Sequence, residues 1–243
     1  MKDRLDKVMY EKGMVKSRER AKALIMEGRV FVQDKPVTKA GTMVIPSARI
    51  EVKGEELPYV SRGGLKLEAA LAHFGIDLTD KIVMDVGSST GGFTDCMLQR
   101  GAGKVYCIDV GYGQLSWPLR KDPRVILHER TNIRYLGKEK VSEVIGFATV
   151  DVSFISLKHV LSKVAEFVKK GGEILSLVKP QFEVGRGEVG KGGIVREEGK
   201  RLVVVDSIKT FAEGQGLRSL GIFESPIPGQ KGNIEYFLFL RKE

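Results

Sequence analysis

Cysteine, histidine and proline are scarce in this chain, and long apolar runs are missing. Its 243 residues include two cysteines, three histidines and eight prolines. Cys96 and Cys107 sit in apolar stretches with no C-x-x-C or histidine-paired spacing, so they read as buried packing residues of a reduced protein rather than as a disulfide framework. His73, His128 and His159 are scattered and fit no zinc pattern, and no metal is expected. No apolar run approaches the roughly 20 residues that a membrane helix needs. The start MKDRLDKVMY has no apolar signal-peptide core, so a cytoplasmic protein that engages no membrane is expected.

What is present is an ordinary globular composition, 42% hydrophobic and 29% charged, long enough for one large domain or two unequal ones. The formal net charge of +9 allows a polyanionic partner, because lysine and arginine neutralise phosphates. Charge alone does not choose between nucleic-acid binding and simple solubility.

Residues 1–58 differ in character from the rest. An amphipathic helix begins at Arg4-Leu5-Asp6 and closes at Gly13; Ser17 caps a second helix that runs through Met26 to a stop at Gly28. Short strands follow at 29–32, at Val37, at 43–44 and at 49–52, with a turn at Asp34-Lys35-Pro36. Lys16, Arg18, Arg20, Lys22 and Arg29 are opposed only by Glu19 and Glu27, which on its own would suit a solvated helix face. The string RLDKVMYEKGMVKSRERAKALIMEGRVFVQDKPV, however, resembles the αL-type RNA-binding domain named after the fourth protein of the small ribosomal subunit. That resemblance makes Arg4, Lys16, Arg18, Arg20 and Lys22 RNA-binding candidates. Pro46, Gly54 and Pro58 mark the exit, and residues 59–64 read as a linker to a second domain at 65–243.

From 65 onward the pattern alternates. A helix at 65–74 precedes strand 81–86, helix 92–100, strand 104–109, helix 114–120, strands 124–128 and 144–150, helix 156–169, strand 173–178, helix 196–214 and strand 234–240. Such alternation predicts an α/β fold, a Rossmann-like, mostly parallel doubly wound sheet preceded by the small α+β domain.

At the end of the first long strand stands Asp85-Val86-Gly87-Ser88-Ser89-Thr90-Gly91-Gly92-Phe93. Small residues there let backbone approach a ligand at the carboxyl edge of the sheet, and the spacing is not the G-x-G-x-x-G of dinucleotide folds. The candidate cofactor residues are Asp85, Gly87, Ser88, Ser89, Gly91, Gly92, Phe93, Asp109 and Asn132. Asp85 occupies the place where S-adenosylmethionine enzymes often set a carboxylate, Asp109 could accept two ribose hydroxyls, and Asn132 follows the third strand, where adenine is edged. These residues alone leave NAD as an alternative, and a helix-capping role for Asp85.

Lys66 lies before the first strand, Asp151 and Lys179 end two later strands, and Glu235 begins the last one. If that last strand runs antiparallel, all four meet at one edge. A Lys-Asp-Lys-Glu set at these places resembles the heat-shock-type, FtsJ-like RNA 2′-O-methyltransferases. A ribose hydroxyl must lose its proton while attacking a methyl group. A free lysine, titrating near about 10.4, needs surroundings that favour the neutral amine to serve as base. The resemblance implies Lys179 as general base, oriented by Asp151.

The strings SRGGLKLEAAL, DVGSSTGGFTDCMLQRGA, DVSFISL and KPQFEVGRGEVGKGGIVR, joined to the small basic domain, are similar to the TlyA family. That likeness implies a methyltransferase using S-adenosylmethionine on cytidine 2′-hydroxyls, with ribosomal RNA or an assembled subunit as partner. The short chain ends are similar to the subtype associated with large-subunit RNA. Arg130, Arg134 and, in the glycine-rich loop, Arg186 are expected at the cleft rim, where arginines grip phosphates. The rivals are a noncatalytic RNA-binding assembly factor, and a membrane-damaging protein of the kind that the family's inherited hemolysin label suggests.

Overall fold

The structure, a computed structural model, describes residues 2–15, 17–26, 28–53, 57–185, 187, 189–190 and 192–243. The chain divides into two compact units, residues 1–57 and 58–243.

In the first unit, β1 (Asp3–Arg4) leads into α1 (Leu5–Glu11), followed by α2 (Arg18–Met26), β2 (Val30–Val32), β3 (Lys35–Val37), β4 (Met43–Val44) and β5 (Ile50–Val52). Apolar residues recur at helical spacing in both helices, Leu5, Val8 and Met9 in α1, then Ala21, Leu24 and Ile25 in α2. They bury one core with Val30, Val44 and Ile50. Ser17 Oγ accepts the Arg20 amide at 3.1 Å, the capping bond expected of it. The hairpin turn falls at Gln33-Asp34, both at positive φ, and not at 34–36. Pro36 instead sits in the edge strand β3 opposite Phe31, where a missing amide proton is tolerated. Gly54 lies outside the described residues.

The second unit begins earlier than expected. Tyr59 is 5% exposed in its core, and α3 (Arg62–Phe74) starts inside the segment 59–64 that reads as a linker. Then come β6 (Ile82–Val86), α4 (Gly92–Gln99), β7 (Lys104–Ile108), α5 (Trp117–Lys121), β8 (Val125–His128) and β9 (Ile145–Val150). After a one-turn 3-10 helix at Leu157–His159 follow α6 (Leu161–Phe167), β10 (Val168–Val178), α7 (Pro180–Glu183), α8 (Glu198–Glu213), β11 (Leu217–Glu224) and β12 (Tyr236–Lys242). The seven strands lie in the order β11-β12-β10-β9-β6-β7-β8; only β12 runs against its neighbours. Strand β11 is absent from the sequence pattern, whose strand at 173–178 is also the end of the longer β10.

Because helices cover both faces, the central strands are apolar on both. Met84, Ala148 and Ile174 face one core layer with Val164 of α6 and Val205 of α8. Val83, Phe147 and Leu175 face the other, with Leu67 of α3 and Met97 of α4. Cys96 and Cys107 are free, buried thiols. Burial pushes the Cys96 thiol up to about 12 and raises that of Cys107 as well.

Candidate active site

Strand order reverses between β6 and β9: β7 and β8 continue the sheet on one side, β10, β12 and β11 on the other. Open α/β sheets take ligands at the carboxyl edge of such a reversal. Gly87, at the exit of β6, has φ +88, and a Cβ there would overlap the backbone oxygen of Asp151 at the exit of β9. Only glycine lets these two exits touch. Gly92 opens α4, and a Cβ there would overlap Ser61 Oγ and stand 3.0 Å from Gly64 N, so it serves the approach of α3 to α4.

The structure brings part of the expected cofactor set to this gap. Gly87 is half-buried and Ser89 exposed, while Ser88, Gly91, Gly92 and Phe93 are buried. Ser88 Oγ has no hydrogen-bond partner among the described residues. Phe93 packs in the core, its ring 6.2 Å from that of Phe237. Asp85 is fully buried; Thr94 Oγ1 donates to it at 2.6 Å and Thr149 Oγ1 at 3.0 Å. Burial raises its carboxyl to about 6, against the pull of those two hydroxyls. Asp85 is thus bonded to α4 and β9 side chains and Phe93 is packed in the core, both buried beside the turn.

Asp109, at the end of β7, is half-exposed and accepts the Ser89 amide at 2.7 Å and the Gly111 amide at 2.6 Å, one on each oxygen. Each oxygen retains a second acceptor site, so a fixed pair of acceptors faces the turn. Val110 beside it is apolar and 70% exposed. Asn132 caps the 3-10 turn Ile133–Tyr135 through the Arg134 amide at 3.1 Å and is half-buried.

The four candidate catalytic residues form two ion pairs. Val178 of β10 lies opposite Tyr236 of β12, so Lys179 and Glu235 are the next residues on the two strands. Lys179 Nζ stands 2.6 Å from Asp151 Oδ1 and donates to Ser153 Oγ at 3.0 Å. Lys66 Nζ of α3 donates to Glu235 Oε2 at 2.7 Å. Side-chain exposure is 12% for Lys66, 3% for Glu235, 12% for Lys179 and 26% for Asp151, too low for solvated surface pairs.

Several residues at the site were not singled out from the sequence. Gln181 Nε2 donates to Glu235 Oε1 at 3.4 Å. Phe154, three residues after Asp151, is 87% exposed at φ +62 with its ring 4.8 Å from Phe182. A non-glycine residue held at positive φ beside paired charges is the signal that could have marked it, and only coordinates carry that signal.

The basic candidates have distinct settings. In the first unit Arg4 and Arg18 both reach buried Asp6, at 3.0 and 2.9 Å. Burial opposes ionisation of Asp6, but the two guanidiniums outweigh it and hold the carboxyl below its usual range. Arg20 and Lys22 are half-buried and make no ion pair among the described residues. In the second unit Arg130 lies over the Tyr112 ring at 4.2 Å and Arg134 over Tyr135 at 5.3 Å, both arginines exposed. Lys16 and Arg186 lie outside the described residues. Among the described residues no helix is long and apolar enough to cross a membrane.

Comparison with known proteins places this geometry. The profile of the FtsJ-like methyltransferase family matches residues 59–242, and that of the S4 domain residues 3–50. YqxC of Bacillus subtilis (strain 168) is 47% identical over 98% of this chain and 85% of its own length. The 16S/23S rRNA (cytidine-2′-O)-methyltransferase TlyA of Mycobacterium tuberculosis (strain ATCC 25618 / H37Rv) is 42% identical over 99% of this chain and 90% of its own. A solved structure from Streptococcus thermophilus that carries the hemolysin name superposes with a TM-score of 0.78 at 44% identity, over 99% of this chain and 88% of that one. The chain belongs to the FtsJ-like methyltransferase family, in the TlyA group that carries an S4 domain ahead of the catalytic fold.

Proposed function

We propose that the protein transfers a methyl group from S-adenosylmethionine to a cytidine 2′-hydroxyl of ribosomal RNA. The observation that carries this reading is the juxtaposition of the Lys179–Asp151 and Lys66–Glu235 pairs at the carboxyl edge where β6 and β9 part. The cofactor fits the residues around the turn: Asp109 offers its acceptors to two ribose hydroxyls, Val110 an apolar face to adenine, and buried Ser88 Oγ an unused polar atom. When bound, S-adenosylmethionine supplies a sulfonium-borne methyl group whose departure leaves a neutral thioether.

Lys179 takes the proton of the 2′-hydroxyl as the oxygen attacks. Asp151 and Ser153 fix the Lys179 amine in place. Lys66 and Glu235 hold a second, mutually compensated charge pair beside it. Phe154 gives an exposed ring on which an unstacked base can lie. Arg4, Arg18, Arg20 and Lys22 of the S4 domain, with Arg130 and Arg134 of the catalytic unit, engage RNA phosphates. A substrate of ribosomal RNA or an assembled subunit goes with a cytoplasmic protein.

The test is methyl transfer from labelled S-adenosylmethionine to ribosomal subunits. Lys179→Ala should lose turnover by about 10²–10⁴-fold, the usual contribution of a positioned base, with cofactor affinity unchanged. Near-normal turnover removes Lys179 from the mechanism, and no transfer by the parent protein favours the noncatalytic assembly factor.

A further inference from the structure

Gln181 stands two residues after Lys179, in the first turn of α7, for which Lys179 is the N-cap residue. Its Nε2 faces Glu235 Oε1 at 3.4 Å, and Lys66 holds the other oxygen, Oε2, at 2.7 Å. The reverse amide orientation would set oxygen against oxygen, so Glu235 itself dictates which end of the carboxamide it meets. Glu235 is 2% exposed, and a carboxylate so far from water requires donors. Gln181 Oε1 is buried without a hydrogen-bond partner among the described residues. The contact to Glu235 is thus the only hydrogen bond of this carboxamide among the described residues, and no other structural task competes for it.

We propose that Gln181 is a positioning residue for methyl transfer. It ties the Lys66–Glu235 pair to the turn that carries Lys179, so that both pairs share one geometry. The inference rests on reading the two pairs as the methyl-transfer site.

The test is a double-substitution cycle in the full chain, read as single-turnover transfer from labelled S-adenosylmethionine to ribosomal subunits. Gln181→Leu keeps the bulk and removes the donor. Its rate should fall about tenfold or more, with cofactor and subunit affinities within about twofold of the parent. On a Glu235→Gln background the same change should cost less than about twofold, because the carboxylate it serves is gone. A normal rate for Gln181→Leu, or its full loss repeated on the Glu235→Gln background, overturns the proposal. Should Gln181→Leu fail to fold, Gln181→Glu sets carboxylate against carboxylate at equal size. Its loss should be relieved by Glu235→Gln, and a loss untouched by that change overturns the coupling. Glu235→Gln with parental turnover would instead overturn the assignment of the site itself.

Discussion

Gly229 leaves open the space that the Glu235 carboxylate fills: a Cβ at position 229 would overlap Oε1 and Cδ of Glu235. The glycine has an ordinary φ, so alanine meets no backbone objection there. Gly229→Ala should therefore act by displacing the carboxylate from both of its partners, Lys66 and Gln181. Methyl transfer should fall by about tenfold or more while cofactor binding holds, as expected when geometry at the reacting centre shifts by less than about 1 Å. Turnover beside calorimetric cofactor affinity checks this; equal loss of both would mean that the surrounding segment has unfolded.

Asp85 should impose a pH dependence on stability. Its folded-state carboxyl is raised by burial to about 6 from an ordinary value of 3.8. The stability that its protonated form contributes is fully present below about 3.8 and is lost as pH rises through about 6. Asp85→Asn removes that titration. The stability of the parent relative to Asp85→Asn should fall by about 2 kcal/mol between about pH 4 and pH 7, since each tenfold difference in proton affinity between the folded and unfolded chain is worth about 1.36 kcal/mol and part of the unfolded carboxyl is already ionised at pH 4. Urea unfolding of both proteins at the two pH values measures the difference; parallel behaviour would place Asp85 in contact with water.

Asp109→Ala should weaken S-adenosylmethionine binding by about 1–3 kcal/mol, the range for charge-assisted hydrogen bonds left unmade. Because Asp109 also holds the Ser89 and Gly111 amides, Asp109→Asn should recover part of the loss. Isothermal titration of both variants decides; unchanged affinity in Asp109→Ala would move the ribose elsewhere.

Arg18→Ala should weaken binding to ribosomal subunits and lower the salt slope by about one phosphate contact. Arg18 shares Asp6 with Arg4, so Asp6→Asn should leave both guanidiniums less fixed and raise the salt sensitivity of binding. Filter binding across a salt series tests both; identical slopes in all three proteins would take this face away from the RNA.

The inner strands were legible because two-sided burial leaves apolar runs such as Ile82–Val86 and Ile145–Val150. Strand β11 was not: it lies at the sheet edge, exposes alternate residues and carries Gly221 at its centre, so its eight residues show no run. At the site, charges that end strands could be picked out by position, and Lys66, Asp151, Lys179 and Glu235 form ion pairs there. Asp85 is the penultimate residue of β6, and sequence cannot tell an accessible carboxylate there from a buried one. Thr94 and Thr149, nine and 64 residues away, decide it. Gln181 stayed hidden because the four-residue helix that aims it has no periodicity to read.

The reversed direction of β12 makes chain length, and not only residue identity, part of the active site. Glu235 meets its partners because Tyr236 stands opposite Val178, and side chains of a strand alternate faces at every residue. Loss of one residue from 236–240, with the remainder of the strand still paired, would bring Ile234 into the place of Glu235 and turn the carboxylate to the wrong face. Relatives that keep this chemistry should consequently hold the spacing from Glu235 to the end of β12 constant.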